Sequence, residues 1–243
     1  MKTVLILGAT SEVALALADQ LAAKSINLIL AARQVEKLNP VQADLTIRFG
    51  VTVTVVAFDA ADMTSHVDFY QQLNPKPDAA ICVFGVLGDH EKAKVKWEEC
   101  ATILTANYVG AVSILNVIAN DFESRKAGVI VGISSVAGER GRQSNYFYGS
   151  AKAGFTAYLS GLRNRLVKSS VHVVTVKPGF IKTKMIEGIA TPGLLTARPE
   201  QVGSSVIKAM VAKRNVIYVL PTWRWIMLVI RGIPEFIFKK LSL

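Results

Sequence analysis

Short apolar runs alternate with segments of helical periodicity along most of the chain, and this alternation constrains the fold more than any other feature. The apolar runs predict strands at residues 3–7, 27–32, 52–58, 78–84, 128–133, 172–177 and 216–220. The intervals predict helices at residues 12–23, 36–49, 64–72, 97–125, 146–167 and 199–211. Repeated strand–helix–strand units connect parallel strands by right-handed crossovers. We therefore predict an α/β fold built on one doubly wound parallel sheet of about seven strands, with helices on both faces.

The uniform composition of the chain predicts that these elements form a single domain. The chain has 243 residues and is 51% hydrophobic, which is enough to bury both faces of a central parallel sheet. It has no Pro/Ser-rich linker, charge block or internal repeat. We predict one domain over residues 1–220, followed by an apolar and basic helical tail over residues 221–243.

Cysteine and histidine usage limits the chemistry that is expected. Cys82 and Cys100 lie in a predicted buried strand and helix, so we interpret them as core side chains in a reducing compartment. His66, His90 and His172 show no metal-ligand spacing, and we predict no metal site. The N-terminal apolar run is too short for a signal peptide and leads directly into a Gly turn, so a cytoplasmic protein is expected.

The stretch from Ser135 to Lys152 carries the residue types of a proton-transfer site. Tyr148 and Lys152 are four residues apart in a predicted helix, so their side chains share one face. A phenol is a weak acid at neutral pH, and a neighbouring ammonium lowers its pKa by stabilising the phenolate. Ser135 adds a hydroxyl that can hold a carbonyl oxygen beside the phenol. A Tyr–Lys pair alone is usually just part of a helix face, but with the serine it predicts interconversion of a carbonyl and an alcohol.

The order of motifs resembles the short-chain dehydrogenase/reductase family from residue 3 to about residue 220. The matching features are Gly8 in a turn, Asp59 ending the third strand, Gly85 after the fourth, Asn107, Ser135, Tyr148, Lys152 and the segment 178–183. The resemblance implies a Rossmann-type fold and an NAD(P)-dependent enzyme acting on an alcohol or ketone. It implies that Tyr148 donates the proton, Lys152 lowers its pKa and Ser135 orients the carbonyl. It further implies that Asn107 holds a water beside the lysine; a helix-to-loop polar contact is the alternative for this residue.

The resemblance also implies a dinucleotide site at the carboxyl ends of the strands, where ligands of such sheets bind. The first turn keeps only Gly8 of the family's three glycines, and Glu12 and Ala14 stand in the other two positions. A carboxylate there repels a phosphate unless its side chain turns outward. An ordinary turn that binds no nucleotide is therefore the alternative. The residues implied in cofactor binding are Gly8, Thr10, Ser11, Glu12, Val13, Arg33, Asp59, Ala60, Gly85, Tyr148, Lys152, Pro178, Gly179, Ile181 and Thr183.

Arg33, directly after the second predicted strand, bears on the choice of cofactor. An acidic residue near this position bonds the adenosine ribose of NAD, whereas an arginine favours the 2′-phosphate of NADP. We predict NADP(H) as the favoured cofactor, with NAD(H) as a possible one. A solvated surface arginine is the alternative reading.

The net charge of +10 is concentrated at the C-terminal end. From residue 213 onward six basic residues (Lys213, Arg214, Arg224, Arg231, Lys239 and Lys240) accompany one acidic residue, Glu235. No nucleic-acid recognition motif or aromatic-basic stripe is present, so we predict no nucleic-acid partner. An anionic membrane surface or a phosphorylated substrate accounts better for the charge.

The tail has the composition of an interfacial anchor. Its apolar run at residues 226–230 is far shorter than the ~20 residues that span a bilayer, and Trp223, Trp225 and the Lys239–Lys240 pair flank it. We therefore predict peripheral attachment to the inner face of the membrane. A helix packed on the domain, or an interface in a homodimer or homotetramer, is the alternative.

Two predicted loops near the substrate are basic, with Arg140 and Arg142 on one and Lys182 and Lys184 on the other. Their four cations can hold a phosphate or diphosphate, and solvated loop charge is the equal alternative. Residues 10–12, 84–89 and 137–140 and the tail resemble the decaprenylphosphoryl-2-keto-ribose reductase group of the family. Members of that group reduce a keto group on a sugar that is linked through phosphate to a polyprenol.

The expected function is therefore NADP(H)-dependent reduction of a ketone to a secondary alcohol, with a polyprenyl phosphate keto sugar as the candidate substrate. A different lipophilic ketone, such as a keto acyl, keto sphingoid or isoprenoid compound, is the first alternative. The second is a non-catalytic nucleotide-binding sensor, which the altered Gly turn permits.

Overall fold

The computed structural model describes residues 1–241, and the last two residues of the predicted tail lie outside the described part. The strands are β1 (Thr3–Leu7), β2 (Asn27–Ala32), β3 (Val53–Ala57), β4 (Ala79–Cys82), β5 (Gly128–Ile133), β6 (Val171–Pro178), β7 (Phe180–Ile181), β8 (Thr196–Ala197) and β9 (Val216–Val219). The helices are α1 (Glu12–Ala22), α2 (Asn39–Phe49), α3 (His66–Gln72), α4 (His90–Val95), α5 (Trp97–Leu104), α6 (Gly110–Arg125), α7 (Tyr146–Leu166), α8 (Pro199–Val211), α9 (Thr222–Gly232) and α10 (Glu235–Phe238).

The predicted sheet is confirmed. Seven parallel strands stand in the order β3-β2-β1-β4-β5-β6-β9, so the direction of winding reverses between β1 and β4. Every residue of β1 and of β4 is buried, as expected for strands that are covered on both faces. A crevice forms at the carboxyl ends of the strands where such a reversal occurs, and ligands of open α/β sheets bind there.

Helices cover the two faces of the sheet through separate apolar clusters. Leu17 of α1 and Val206 of α8 pack on one face with the apolar side chains of β1 and β2. Ile114 of α6 and Phe155 of α7 pack on the other face. The continuous helical stretch Trp97–Arg125 is long and apolar enough to cross a membrane by length and composition. Because the α6 part of this stretch buries its apolar side chains against the sheet, we interpret it as a core helix.

Several boundaries differ from the sequence prediction for local reasons. The predicted helix 36–49 begins at Asn39 because Pro40 occupies its first turn, and a short 3₁₀ turn precedes it. The predicted helix 97–125 contains a π-helical turn, Thr105–Val109, between α5 and α6. Helix α4 and the small sheet of β7 and β8 were not predicted, because both are short and lie in loop segments.

The tail packs on the domain along one face. The alternative prediction, a helix packed on the domain, therefore applies to this inner face of the tail. Trp223 and Met227 are buried beside Val136, and the Trp223 indole Nε1–H donates to the Leu195 carbonyl at 3.0 Å. The opposite face of α9 remains outside, with Trp225 65% exposed. The tail consists of two helices, since α9 ends at Gly232 and α10 begins after Pro234.

Candidate active site

A cleft of about 1120 Å³ opens at the carboxyl ends of the strands, and the predicted motifs converge on it. All four predicted catalytic residues line the cleft: Asn107, Ser135, Tyr148 and Lys152. Nine further predicted cofactor residues also line it: Thr10, Ser11, Glu12, Val13, Gly85, Pro178, Gly179, Ile181 and Thr183. Gly8, Arg33, Asp59 and Ala60 do not.

Ser135, Tyr148 and Lys152 are positioned by the end of β5 and the first turns of α7. Ser135 has extended backbone and caps a short 3₁₀ turn, where its Oγ accepts from the Ala137 N–H at 3.1 Å. Lys152 is buried and its Nζ donates to the Ile133 carbonyl at 3.0 Å. The same Nζ lies 5.7 Å from the centroid of the Tyr148 ring. The three side chains that sequence spacing associates are therefore brought to one end of the cleft.

Burial dominates the acid–base properties of this pair. It raises the pKa of Tyr148 to about 12, and a hydrogen bond with Ser135 acts in the lowering direction. Burial also lowers the pKa of Lys152 to about 8. Lys152 bonds to a main-chain carbonyl and both groups are desolvated, so burial sets the direction of the Tyr148 pKa. That Lys152 stabilises the phenolate during the reaction stays a prediction.

Asn107 lies within the π-helical turn, a distortion that is frequent at functional sites. Its Nδ2 donates to the carbonyls of Val86 at 2.6 Å and Ile103 at 2.8 Å, so the helix-to-loop contact is present. Its buried Oδ1, however, has no hydrogen-bond partner among residues 1–241. A β-carbon placed on Gly85 would be 2.5 Å from this Oδ1 and 3.3 Å from Lys152 Nζ. The orphaned acceptor therefore lies near the lysine, where one water would satisfy it.

The first turn is tight at Gly8, although Glu12 and Ala14 stand in the positions of the family's other two glycines. Gly8 adopts a φ of +87°, and any β-carbon there would come within 2.7 Å of the Phe84 main chain. Ser11 caps α1 by accepting from the Ala14 N–H at 3.2 Å. The Glu12 carboxylate accepts from the Lys184 N–H at 3.1 Å, across the cleft from its own helix. Glu12 thus turns to the opposite loop.

Arg33, Asp59 and Ala60 lie at the same edge of the sheet but beyond the cleft. Arg33 is exposed directly after β2, next to β1 in the sheet. The Asp59 carboxylate accepts from the Ala61 N–H at 2.9 Å, and its carbonyl contacts His66 Nε2 at 3.0 Å. Ala60 packs its carbonyl against Gly110 at the start of α6. Together they form an exposed outer rim where the adenosine end of a dinucleotide would lie.

Sequence reasoning did not assign several cleft residues to the site, and three polar ones among them are Ser134, His90 and Asn145. Ser134 Oγ donates to the Lys152 carbonyl at 3.0 Å and thereby ties α7 to the end of β5. His90 and Asn145 line the cleft from α4 and from the residue preceding α7. Ser134 could have been recognised from the paired serines after a buried strand, whereas the other two carry no motif.

The Lys152 pKa gives a testable pH dependence of stability. Between about pH 8 and its ordinary value of 10.5, the unfolded chain holds a proton that the folded chain has released. The free energy of unfolding should therefore rise from about pH 8 to about pH 9, at about 1.4 kcal/mol per pH unit, and Lys152→Met should remove the rise. Burial raises the pKa of Cys82 from 9.0 to about 12, so this thiol opposes the rise above about pH 9, and the raised pKa of Tyr148 opposes stability above about pH 10. Denaturant unfolding at pH 7.5, 8.5 and 9.5 measures the effect.

The exposed Lys168→Met variant is the matched control for this titration, and its profile should follow that of the wild type. Parallel pH profiles of the wild type and Lys152→Met would show that Lys152 keeps an ordinary pKa in the fold.

The residues present fit a nicotinamide dinucleotide. Ser11, Glu12 and Val13 bring the N-terminus of α1 to the cleft, and a helix N-terminus favours a phosphate group. The cleft continues from this turn to Lys152 and Tyr148, and an unpartnered Asn107 oxygen lies beside the lysine. In the described part of the chain, no group of three or more His, Cys, Asp or Glu residues could hold a metal ion. Fold and cleft together define an NAD(P)-dependent oxidoreductase of the dehydrogenase/reductase class.

Comparison with known proteins agrees with this class. Residues 2–192 match the family model described as short chain dehydrogenase. An uncharacterized oxidoreductase of Mycobacterium tuberculosis is 33% identical over 98% of this chain and 96% of its own length. The chain belongs to the short-chain dehydrogenase/reductase family.

Two solved structures share the fold. A short-chain dehydrogenase from Sphingobium yanoikuyae in complex with NADPH superposes with a TM-score of 0.82 at 22% identity, covering 97% of both chains. A 3-oxoacyl-[acyl-carrier protein] reductase from Brucella melitensis in complex with NAD gives 0.80 at 24% identity, covering 91% of this chain and 96% of the other.

Proposed function

We propose that this protein is an NADP(H)-dependent reductase that converts a ketone to a secondary alcohol. The observation that carries the proposal is the convergence of Ser135, Tyr148, Lys152 and Asn107 on one end of a cleft large enough for a dinucleotide and a substrate. A non-catalytic sensor has no use for a buried lysine, a phenol and a serine at one point of its ligand cleft.

Each of the four side chains has a defined task in this reaction. The Ser135 hydroxyl holds the substrate carbonyl oxygen, and the Tyr148 phenol donates a proton to that oxygen as it gains charge. Lys152 stabilises the phenolate that remains and contacts the nicotinamide ribose. Asn107, through a water on its Oδ1, connects Lys152 to a source of protons. A bound nicotinamide dinucleotide supplies the hydride, and the protein supplies orientation and the general acid.

NADP(H) is the proposed cofactor. The lining residues of the first turn and of the segment 178–183 would hold the diphosphate and the nicotinamide, and Asp59 and Ala60 would contact the adenine. Similar structures are complexes with NADPH in one case and NAD in another, so the fold alone does not choose between them. The choice of NADP(H) rests on Arg33, which is exposed at the outer rim and has no acidic partner among the described residues.

Arg33→Ala should weaken NADPH binding by about 10- to 100-fold and leave NADH binding nearly unchanged. The reason is the loss of one charge-assisted hydrogen bond to the 2′-phosphate, typically ~1.5–3 kcal/mol. Dissociation constants of both dinucleotides, measured by fluorescence titration, test this. Lys37→Ala, an exposed cation on the segment that follows Arg33, is the control. Equal losses for both dinucleotides would mean that Arg33 shapes the pocket without reading the phosphate.

For the substrate we propose a keto sugar linked through phosphate to a polyprenol. Support comes from the resemblance of residues 84–89 and 137–140 to enzymes of that chemistry. The mouth of the cleft is also amphipathic: Met185 and Ile189 are about half exposed there, beside Lys184. The same apolar rim favours another lipophilic ketone as the second candidate.

The proposed setting is the cytoplasm, with the protein peripheral on the inner face of the membrane through its tail. The outer face of α9 is apolar and basic residues flank it, as in interfacial helices. We also propose a homodimer or homotetramer, since Trp97, Tyr108 and Val109 leave a second exposed apolar area on α5 and the π-helical turn.

A substrate panel tests the proposed function. The wild type is supplied with NADPH and ketones of three classes, namely polyprenyl phosphate keto sugars, keto acyl or keto sphingoid lipids, and short neutral ketones. We expect the highest kcat/KM for the first class. NADPH binding without oxidation across the whole panel would favour the nucleotide sensor.

A further inference from the structure

The four basic side chains near the substrate end have different environments, and Arg140 is already occupied by the tail. Its Nη1 donates to the carbonyls of Ile230 and Ile233, each at 2.6 Å, and its Nη2 pairs with Glu235 at 3.0 Å. Its guanidinium carbon also lies 3.6 Å from the centroid of the Phe238 ring. Arg140 therefore anchors the tail, and the expectation that it holds a substrate phosphate is wrong.

Arg142, two residues further on, is in a different position. It lines the cleft together with Ser135 and Tyr148 and is half-buried. Within residues 1–241, its Nε has no hydrogen-bond partner and no carboxylate forms an ion pair with it. Burial lowers the pKa of Arg142, but a guanidinium keeps its charge at any physiological pH. A desolvated cation without a counter-charge is unfavourable, so this position is suited to an anion from outside the chain.

Two neighbouring side chains in the cleft also carry unsatisfied polar atoms. His90 packs its ring against Tyr146 at 4.5 Å and Phe147 at 5.3 Å, and its buried Nε2 has no partner within residues 1–241. Asn145 is joined to Arg142 by a turn, in which the Asn145 N–H donates to the Arg142 carbonyl at 3.1 Å. Its buried Oδ1 likewise has no partner in this part of the chain. The three residues thus line the same cleft as Tyr148 and bring to it a cation, a ring nitrogen and an amide oxygen.

Within the described part of the chain, three acidic residues line the same cleft, and each is engaged elsewhere. Glu12 accepts from the Lys184 N–H at 3.1 Å. The Asp89 carboxylate caps α4 by accepting from the Lys92 N–H at 3.0 Å, and Glu91 pairs with Lys94 at 2.6 Å. None of these carboxylates is an ion-pair partner of Arg142. Glu235, which lines a smaller cavity together with Arg142, pairs with Arg140 at 3.0 Å.

We propose that Arg142, with His90 and Asn145, forms a subsite that binds an oxyanionic group of the substrate. The planar guanidinium presents paired donors that match a phosphate or a carboxylate, and His90 Nε2 adds a further donor when protonated there. Asn145 Oδ1 is an acceptor and suits a hydroxyl next to the anion. The substrate class is therefore a hydroxylated ketone that carries a phosphate or carboxylate. This inference rests on the proposed reductase function and assigns the anion to Arg142 rather than to all four loop cations.

The test compares matched ketones at saturating NADPH. Hydroxyacetone, its phosphate ester and a keto carboxylate of similar size are assayed with the wild type, Arg142→Gln and Arg142→Lys. We expect the wild type to favour an anionic ketone by at least tenfold in kcat/KM. Arg142→Gln should lose that preference while its kcat/KM for hydroxyacetone stays within about threefold, and Arg142→Lys should retain part of it. The larger of the two anionic preferences identifies phosphate or carboxylate.

Lys182→Gln is the matched control, because Lys182 is an exposed cation on the opposite loop and does not line the cleft. Its preference for anionic ketones should equal that of the wild type. Equal losses of Arg142→Gln on neutral and anionic ketones, or a wild type without anionic preference, would overturn the subsite.

A binding experiment separates failure of the subsite from failure of the proposed function. The Tyr148→Phe variant is titrated with hydroxyacetone phosphate by calorimetry in the presence of NADPH, with and without Arg142→Gln. The second substitution should weaken binding at least tenfold. If the wild type reduces none of the ketones but this difference appears, the subsite stands and the reductase function falls. If the two titrations agree, the subsite falls whatever the protein reduces.

Discussion

Replacing Tyr148 with phenylalanine should lower ketone reduction by at least about a hundredfold while NADPH still binds. General acid catalysis is typically worth 10²–10⁴ in rate, and the phenol is the proposed acid. The aromatic ring remains, so its packing against the small apolar cluster of Ala93, Cys100 and Ile103 is preserved. Single-turnover oxidation of NADPH and a separate dinucleotide titration distinguish loss of chemistry from loss of binding.

Tyr158→Phe provides the matched control on the same helix. Its hydroxyl contacts the Val112 carbonyl at 3.4 Å and Tyr158 does not line the cleft, so turnover should stay near the wild-type rate. Near-normal turnover of Tyr148→Phe would show that Tyr148 is not the general acid. Cofactor binding would then be the remaining role for this part of the fold.

The fold was predictable because its signal repeats along the chain. Seven apolar runs, each followed by a turn and a helical pattern, allow few arrangements other than a doubly wound parallel sheet with right-handed crossovers. The catalytic group was predictable for a related reason: Tyr148 and Lys152 are local neighbours on one helix, and Ser135 ends the strand before it. Local spacing and sheet topology together determine where these side chains lie.

Long-range contacts determine the features of the site that the sequence pattern could not predict. No pattern indicates that Arg140 would bind tail carbonyls some ninety residues away, or that Glu12 would accept from the Lys184 N–H across the cleft. The pKa of Tyr148 depends on desolvation by the assembled site, which raises it although Lys152 is its neighbour. Arg142 and Arg140 are alike in the sequence, and only their surroundings separate a tail anchor from an unpaired cation.

Tail docking also changes how membrane attachment has to be tested. Removing everything after residue 220 would uncover the apolar cluster that Trp223 and Met227 complete, and Arg140 would lose its partners. Such a truncation disturbs the loop that follows Ser135 as well as the tail. Substitutions on the outer face avoid this, because Trp225, Leu228 and Val229 are 58–68% exposed.

The combined variant Trp225→Ser, Leu228→Ser and Val229→Ser should bind anionic vesicles at least about a hundredfold more weakly than the wild type. Burying a large apolar side chain is worth ~1.5–3 kcal/mol, and each basic residue near an anionic surface adds ~1 kcal/mol. Arg224, Arg231, Lys239 and Lys240 lie next to this face and should make wild-type binding salt-sensitive. Co-sedimentation with phosphatidylcholine vesicles, with and without phosphatidylserine, measures both effects.

A second triple variant, Ile47→Ser, Val95→Ser and Val211→Ser, is the control, since these side chains are 78–83% exposed and lie outside the tail. This variant removes a similar apolar area. Nonspecific hydrophobic adsorption would therefore weaken the vesicle binding of both variants equally, whereas a membrane-binding tail predicts weaker binding of the first variant alone. Sedimentation velocity measures the oligomeric state and thereby distinguishes a membrane-binding face from a subunit interface. If the wild type ignores vesicles and the tail variant instead breaks up a dimer or tetramer, the outer face of α9 is an interface between copies of the chain. The basic residues beside that face favour the membrane, because two copies would bring like charges together.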